Sequence, residues 1–221
     1  MTHSTSFLQP RHDFIKSEYT IAEFNVNGWI TIKNNHTLDF KHNVVKFINV
    51  DFLILPETHC LPHQKIVIEN YTLFQNNRSN QANSSRGSGG IAVAIKNDIL
   101  KDHQIISIFS NSVDGQIGIK LKNCKNDLKI GIIGLYLSPD NYHYGRDAEG
   151  FFNNAAVLYE DLSDCDLLVG AGDVNARTKE IIDFIPDIDG NLIQKRYNPD
   201  QIKNSHGNCF LIFLKENRAI I

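Results

Sequence analysis

Residues 51–59 read Asp51-Phe52-Leu53-Ile54-Leu55-Pro56-Glu57-Thr58-His59. Four consecutive apolar residues stopped by a proline predict a buried strand. A strand covered on both faces carries an unbroken apolar run, and proline cannot continue its ladder. The polar residues after the stop then lie at the strand's end. The pattern recurs three times. Phe24-Asn25-Val26-Asn27-Gly28 closes a strand predicted over residues 20–26. Leu135-Tyr136-Leu137-Ser138-Pro139 closes one predicted over 127–136. Gly172-Asp173-Val174-Asn175-Ala176-Arg177 follows an apolar run at 166–170. Each cluster alone reads as a turn, because Asn, Asp, Gly and Pro are turn residues. Four together deliver Asn25, Glu57, Tyr136, Asp173 and Asn175 to strand ends, where a rigid sheet holds functional groups in place.

Outward from these strands, apolar periodicity predicts helices over 37–49, 147–164 and 207–217. Alternation predicts further strands at 71–75, 90–96, 103–109 and 115–122. The span 90–136 reads as an antiparallel meander. A meander combined with strand–helix–strand units implies an α/β protein with two sheets rather than one parallel sheet. Residues 76–89 and 178–206 read as loops. Residues 1–19 read as a loose tail, 20–221 as one domain, and 219–221 as the start of another strand.

Composition sets the outer limits. The chain has 221 residues, with 42% hydrophobic and 21% charged, which excludes a disordered chain, a collagen and a coiled coil. A net charge of −3 excludes a basic nucleic-acid coat but not an enzyme with a local positive groove. Cys60, Cys124, Cys165 and Cys209 form no C-x-x-C pair, so they read as reduced thiols in an intracellular protein, nuclear or cytoplasmic. No signal peptide or membrane-spanning run is legible, so no membrane partner is expected.

The clustered residue types suit a hard divalent cation and a phosphodiester. Mg²⁺, or Mn²⁺ in its place, takes oxygen ligands: one or two carboxylates, waters and substrate phosphates. Glu57 is the candidate metal ligand, with Asn25 as a second ligand or as the group that aligns Glu57. Asp173 can orient or deprotonate a water. Asn175 and Tyr136 can hydrogen-bond phosphate oxygens as charge develops there. Asn27 and Arg177 are candidate substrate contacts, although a surface ion pair is the plainer role for Arg177. His59 reads more readily as a loop histidine than as a site residue. Arg78 and Arg86 could touch a DNA backbone, and the run Arg86-Gly87-Ser88-Gly89-Gly90 reads as a flexible connection.

The four clusters in this order resemble the endonuclease/exonuclease/phosphatase superfamily, most of all the endonuclease domain of non-LTR retrotransposons of the long interspersed type. The glycine-rich run at 86–90, Gly145-Arg146-Asp147-Ala148-Glu149-Gly150-Phe151-Phe152 and the segment from His206 to Leu214 are similar to that branch as well. The likeness runs from about Tyr19 to Ile221. It implies a four-layer α/β/β/α sandwich with two mixed sheets, and magnesium-dependent hydrolysis of phosphodiester bonds in DNA. Asn25 and Glu57 match metal-site positions; Tyr136, Asp173 and Asn175 match positions around the scissile phosphate. A reverse-transcriptase region in a longer parent polyprotein is the partner such a domain would have. The family's site also holds a Ser-Asp-His stretch beyond a later strand, and these residues contain none. The expectation is therefore a domain truncated at its C-terminus, lacking its last strands, with impaired nuclease activity. Two alternatives are an inactive remnant with residual nucleic-acid or metal binding, and a phosphatase or sphingomyelinase of the same superfamily.

Overall fold

The structure, a computed structural model, describes residues 7–8, 19–29, 35–78, 87–110, 114–181 and 200–219. In chain order the elements are β1 (Phe7–Leu8), β2 (Ile21–Glu23), α1 (Asn35–Ile48), β3 (Phe52–Pro56), β4 (Tyr71–Asn76), β5 (Ile91–Lys96) and α2 (Asn97–Asp102). They continue with β6 (His103–Phe109), β7 (Gln116–Asn123), β8 (Lys129–Tyr136), a 3-10 turn at His143–Gly145, α3 (Ala148–Asp161), β9 (Leu167–Asp173) and α4 (Ser205–Glu216). One sheet has the order β1-β9-β8-β7-β6 and the other β2-β3-β5-β4. Both are mixed: β2 runs parallel to β3 and β8 parallel to β9, while the other pairs are antiparallel.

Alternation within each strand builds the layers. Phe52 and Ile54 of β3 face inward with Ile91, Val93 and Ile95 of β5, and meet Ile117, Ile119, Ile130 and Ile132 of the other sheet. Leu53 and Leu55 face outward with Ala92 and Ala94, and pack with Val45 of α1 and with Trp29. On the opposite outer face, Ile133 and Leu135 of β8 pack with Phe151, Phe152, Ala155 and Leu158 of α3 and with Phe210, Phe213 and Leu214 of α4. The order is helix, sheet, sheet, helices: an α/β fold with two mixed sheets, consistent with the expected four-layer sandwich. α3 and α4 each begin at a side-chain cap, with Asp147 accepting from the Gly150 N–H at 2.9 Å and Asn204 from the Gly207 N–H at 2.8 Å.

The structure departs from the sequence reading in several places. β5 does not join the meander; it lies inside the other sheet, between β3 and β4. The six-residue helix α2 carries the chain across to β6, and so short an element leaves no periodicity to read. Only β6–β8 form the meander. Phe7 and Leu8 lie in the stretch read as a loose tail, yet they pair with Gly170 and Val169 at the edge of β9. The exposed edge of β9 is a ready template for such a strand. The strand start expected at 219–221 is not seen at Ala219, which has no regular structure, while residues 220–221 lie outside those described. Trp29, which follows the first polar cluster, is core, at 3% exposure. Among the described residues all four cysteines are free thiols, and no helix is long and apolar enough to cross a membrane.

Candidate active site

The ends of β2, β3, β8 and β9 meet. Backbone bonds carry the first two strands onward together past their last ladder residues. The Val26 N–H donates to Pro56 O at 3.2 Å and the Gly28 N–H to Glu57 O at 2.6 Å. The buried ammonium of Lys41 also donates to the Gly28 carbonyl. In the other sheet Tyr136 and Asp173 are direct partners on adjacent parallel strands. Two side-chain bonds then cross between the sheets. The Tyr136 hydroxyl donates to Glu57 Oε1 at 3.2 Å, and the Asn25 amide donates to Asp173 Oδ2 at 3.2 Å. Asn25, Glu57, Tyr136 and Asp173 are thus gathered into a ring drawn from four strand ends, with side-chain bonds crossing between the sheets and backbone pairing joining the strands within each sheet.

The surrounding bonds fix how each group can act. Asp173 Oδ1 accepts the Asn175 backbone N–H at 3.0 Å, so both carboxylate oxygens are held. The Asn175 side-chain amide donates to Leu137 O at 2.8 Å, which leaves one N–H and the amide oxygen for other partners. Asn25 Oδ1 accepts the Asn27 N–H at 3.0 Å, which points the Asn25 amide nitrogen toward Asp173. Burial, with the Glu57 carboxylate alongside, pushes the Tyr136 phenol up to about 12, so it stays a proton donor at neutral pH. Asn27, Glu57, His59 and Asn175 all have positive φ, at 43°, 56°, 49° and 49°. Strained backbone of this kind costs energy and collects at functional sites.

Glycines make that backbone possible. The run at 86–90, expected to be a flexible connection, packs in its described part against the Glu57 loop. The His59 N–H donates to Gly89 O at 2.8 Å, and a Cβ at Gly87 would collide with the His59 carbonyl oxygen. Gly172, at φ 144°, lets β9 approach the Leu135 carbonyl just before Asp173.

Several placements were only partly legible in the sequence. His59 sits at the site, its Nε2 3.9 Å from Glu57 Oε2. The spacing of two residues hinted at this, although the loop is not a strand. Arg177 pairs with Asp200 through Nε at 2.7 Å and Nη2 at 3.3 Å, which is the surface ion pair. Arg78 is not a free backbone contact. It is 4% exposed, and its guanidinium bonds Asp114 and Ser88 and stacks 3.7 Å from the Tyr144 ring. Arg86 lies outside the described residues. Glu23, which the sequence reading passed over, ends β2 half-buried; burial, then the charge of Asp173, raises its carboxyl to about 7. No sequence signal marks it beyond its place two residues before Asn25. His206 bridges from beneath, its two ring nitrogens 2.6 Å from Gly145 O and 3.3 Å from Val174 O.

No protein-family model and no curated protein matches the sequence. Solved structures do share the fold. The chain is similar to the AP endonuclease LMAP from Leishmania major, with a TM-score of 0.57 and 15% identity over 72% of this chain and 56% of that one. It is similar to the catalytic domain of Xenopus laevis APE2, with a TM-score of 0.52 and 15% identity over 73% and 60%. The truncated Caenorhabditis elegans TDP2 follows, with a TM-score of 0.50 and 17% identity over 72% and 63%. The chain therefore spans about three-fifths of the length of these structures. They are members of the endonuclease/exonuclease/phosphatase superfamily, and the fold of this chain is theirs.

Proposed function

We propose that the chain is a divalent-metal-dependent phosphodiesterase that cuts DNA, an endonuclease of the retrotransposon type. The observation that carries the reading is the ring of Asn25, Glu57, Tyr136 and Asp173 closed by two bonds between the sheets. The shared fold with enzymes named as an AP endonuclease and as APE2 supports it. The likeness of the 145–152 segment and of the glycine-rich run at 86–90 favours the retrotransposon branch over a phosphatase or sphingomyelinase.

The donor set fits Mg²⁺ or Mn²⁺. Among the described residues no three His, Cys, Asp or Glu side chains converge into a cage. What the ring offers is the Glu57 carboxylate with the Asn25 amide beside Asp173, a set of hard oxygens that water and a substrate phosphate complete. Bound there, the ion would polarise the phosphate and stabilise the leaving oxygen. Asp173, held by Asn25 and by the Asn175 N–H, orients the attacking water and takes its proton. The remaining Asn175 N–H donates to a phosphate oxygen as charge builds, and Tyr136 does so once its single O–H turns from Glu57. Asn27, exposed at the mouth, contacts the strand; Arg177 does so only on leaving Asp200. No Ser-Asp-His stretch occurs in these residues, so the rate we propose for the chain as it stands is low.

The test is conversion of supercoiled plasmid to the nicked circle in Mg²⁺ and in EDTA. Slow nicking that EDTA abolishes supports the reading. Binding of plasmid or Mn²⁺ with no nicking at any enzyme concentration favours the alternative, an inactive remnant.

A further inference from the structure

The loop that leaves the site after Tyr136 carries three consecutive rings, Tyr142, His143 and Tyr144. Tyr142 is 61% exposed and Tyr144 45% exposed. Single exposed apolar residues are ordinary on a protein surface, but a run of rings held in place beside a reactive centre is not. The loop is anchored at both ends. The Tyr142 N–H donates to Pro139 O at 2.9 Å, the Gly145 N–H to Tyr142 O at 2.9 Å, and His206 holds the Gly145 carbonyl at 2.6 Å. His143 meets Tyr144 edge-on, with centroids 5.3 Å apart. The buried Arg78 guanidinium covers one face of Tyr144 at 3.7 Å, and Asp114 and Ser88 hold Arg78 in turn. The ring is thus fixed from behind, and the conformational freedom it loses when a ligand stacks on it is small. Arg146, the next residue after the turn, is exposed. The loop is continuous with the site: Ser138, four residues before Tyr142, places its hydroxyl 3.4 Å from the Tyr136 oxygen.

We infer that Tyr142 and Tyr144, with His143, form a stacking platform for an unpaired base of the nucleic-acid strand whose phosphate enters the ring of Asn25, Glu57, Tyr136 and Asp173. The inference rests on the function proposed above and specifies its substrate: a single-stranded or locally unpaired strand in preference to intact duplex. Within a duplex both faces of a base are covered by its neighbours. Only an unstacked base presents a π-face to a side chain, and such stacking does not depend on which base it is. Arg146 supplies the positive charge that a backbone running past the rings requires.

The experiment measures fluorescence anisotropy in EDTA, so that no strand is cut. The probes are a labelled single-stranded deoxyoligonucleotide of mixed sequence and a strand of the same length built of abasic residues. The wild-type chain binds the base-bearing strand about tenfold or more tighter than the abasic one, and tighter than the same sequence as a duplex. In the Tyr142→Ala/Tyr144→Ala double variant that preference falls to within about twofold, while Tyr144→Trp keeps it. Both variants alter exposed rings, and a matching thermal melt shows that they are folded. Equal wild-type affinity for the two strands overturns the platform and leaves the proposed function standing; so does a preference that survives in the double variant. Failure of the wild-type chain to bind either strand overturns the platform, and the plasmid assay in Mg²⁺ then decides the nucleic-acid reading.

Discussion

The Tyr136 hydroxyl reaches across the interface between the two sheets to donate to Glu57 Oε1 at 3.2 Å. Tyr136 ends β8 in one sheet and Glu57 follows β3 in the other, so the bond ties the candidate general donor to the candidate metal ligand. Replacing Tyr136 by Phe removes that donor and leaves the ring packed. We expect plasmid nicking to slow by roughly 10²-fold, the scale of losing one preorganised donor. Stability should change by only about 1 kcal/mol, as for a single hydrogen bond, checked by urea melts of both proteins.

Glu57→Ala should weaken Mn²⁺ binding by about tenfold or more in a calorimetric titration, because the variant deletes a carboxylate from a set that has few. Asn25→Ala should weaken it less, since an amide oxygen carries no net charge. Unchanged affinity in Glu57→Ala would move the ligand role to Asp173 or Glu23.

Glu23 makes stability depend on pH. Its carboxyl is raised from 4.5 to about 7 by burial and by Asp173. A raised carboxyl favours the folded state fully below its unfolded value, and that contribution is lost as pH rises through the folded value. The metal-free protein should therefore lose about 1–2 kcal/mol between pH 4.5 and 8 from this group, a figure reduced for its partial exposure. Glu23→Gln removes the loss. Thermal melts in EDTA should show the variant more stable than wild type at pH 8 and no more stable at pH 5.

Gly172→Ala should be among the most damaging single-methyl changes. The residue sits at φ 144°, and a Cβ there would strike the Leu135 carbonyl oxygen. We expect a loss of about 3 kcal/mol or more, with nicking reduced as well, because Asp173 is the next residue. Alanine substitution at the fully buried Leu158 should cost about 2–5 kcal/mol through its cavity alone, and should leave the rate of the folded fraction unchanged.

Much of this architecture was legible because burial writes itself into local sequence. The unbroken run Phe52–Leu55 marked a strand covered on both faces, and the polar groups behind each strand marked the residues that the fold brings together. The partner of each strand was not legible. Ile91–Ile95 alternates much as 103–109 does, and alternation says which face a residue takes but not which sheet the strand joins. Arg78 was misjudged for a similar reason: a charged residue in a polar stretch looks solvated until Asp114 and Tyr144, both distant in sequence, close around it with the nearer Ser88. Glu23 gave no sign, because its raised carboxyl depends first on burial in the folded chain and then on Asp173, 150 residues later.

We propose that Asp173 and its three neighbours in the ring act together as one phosphodiesterase site. The most direct measurement is the rate of supercoiled-plasmid nicking in Mg²⁺ by the purified 221-residue chain and by its Asp173→Ala variant, with melts showing both folded. The wild-type chain should nick slowly and in an EDTA-sensitive way, and the variant should lose about 10²-fold or more of that rate. Nicking that persists unchanged in Asp173→Ala would contradict the proposal.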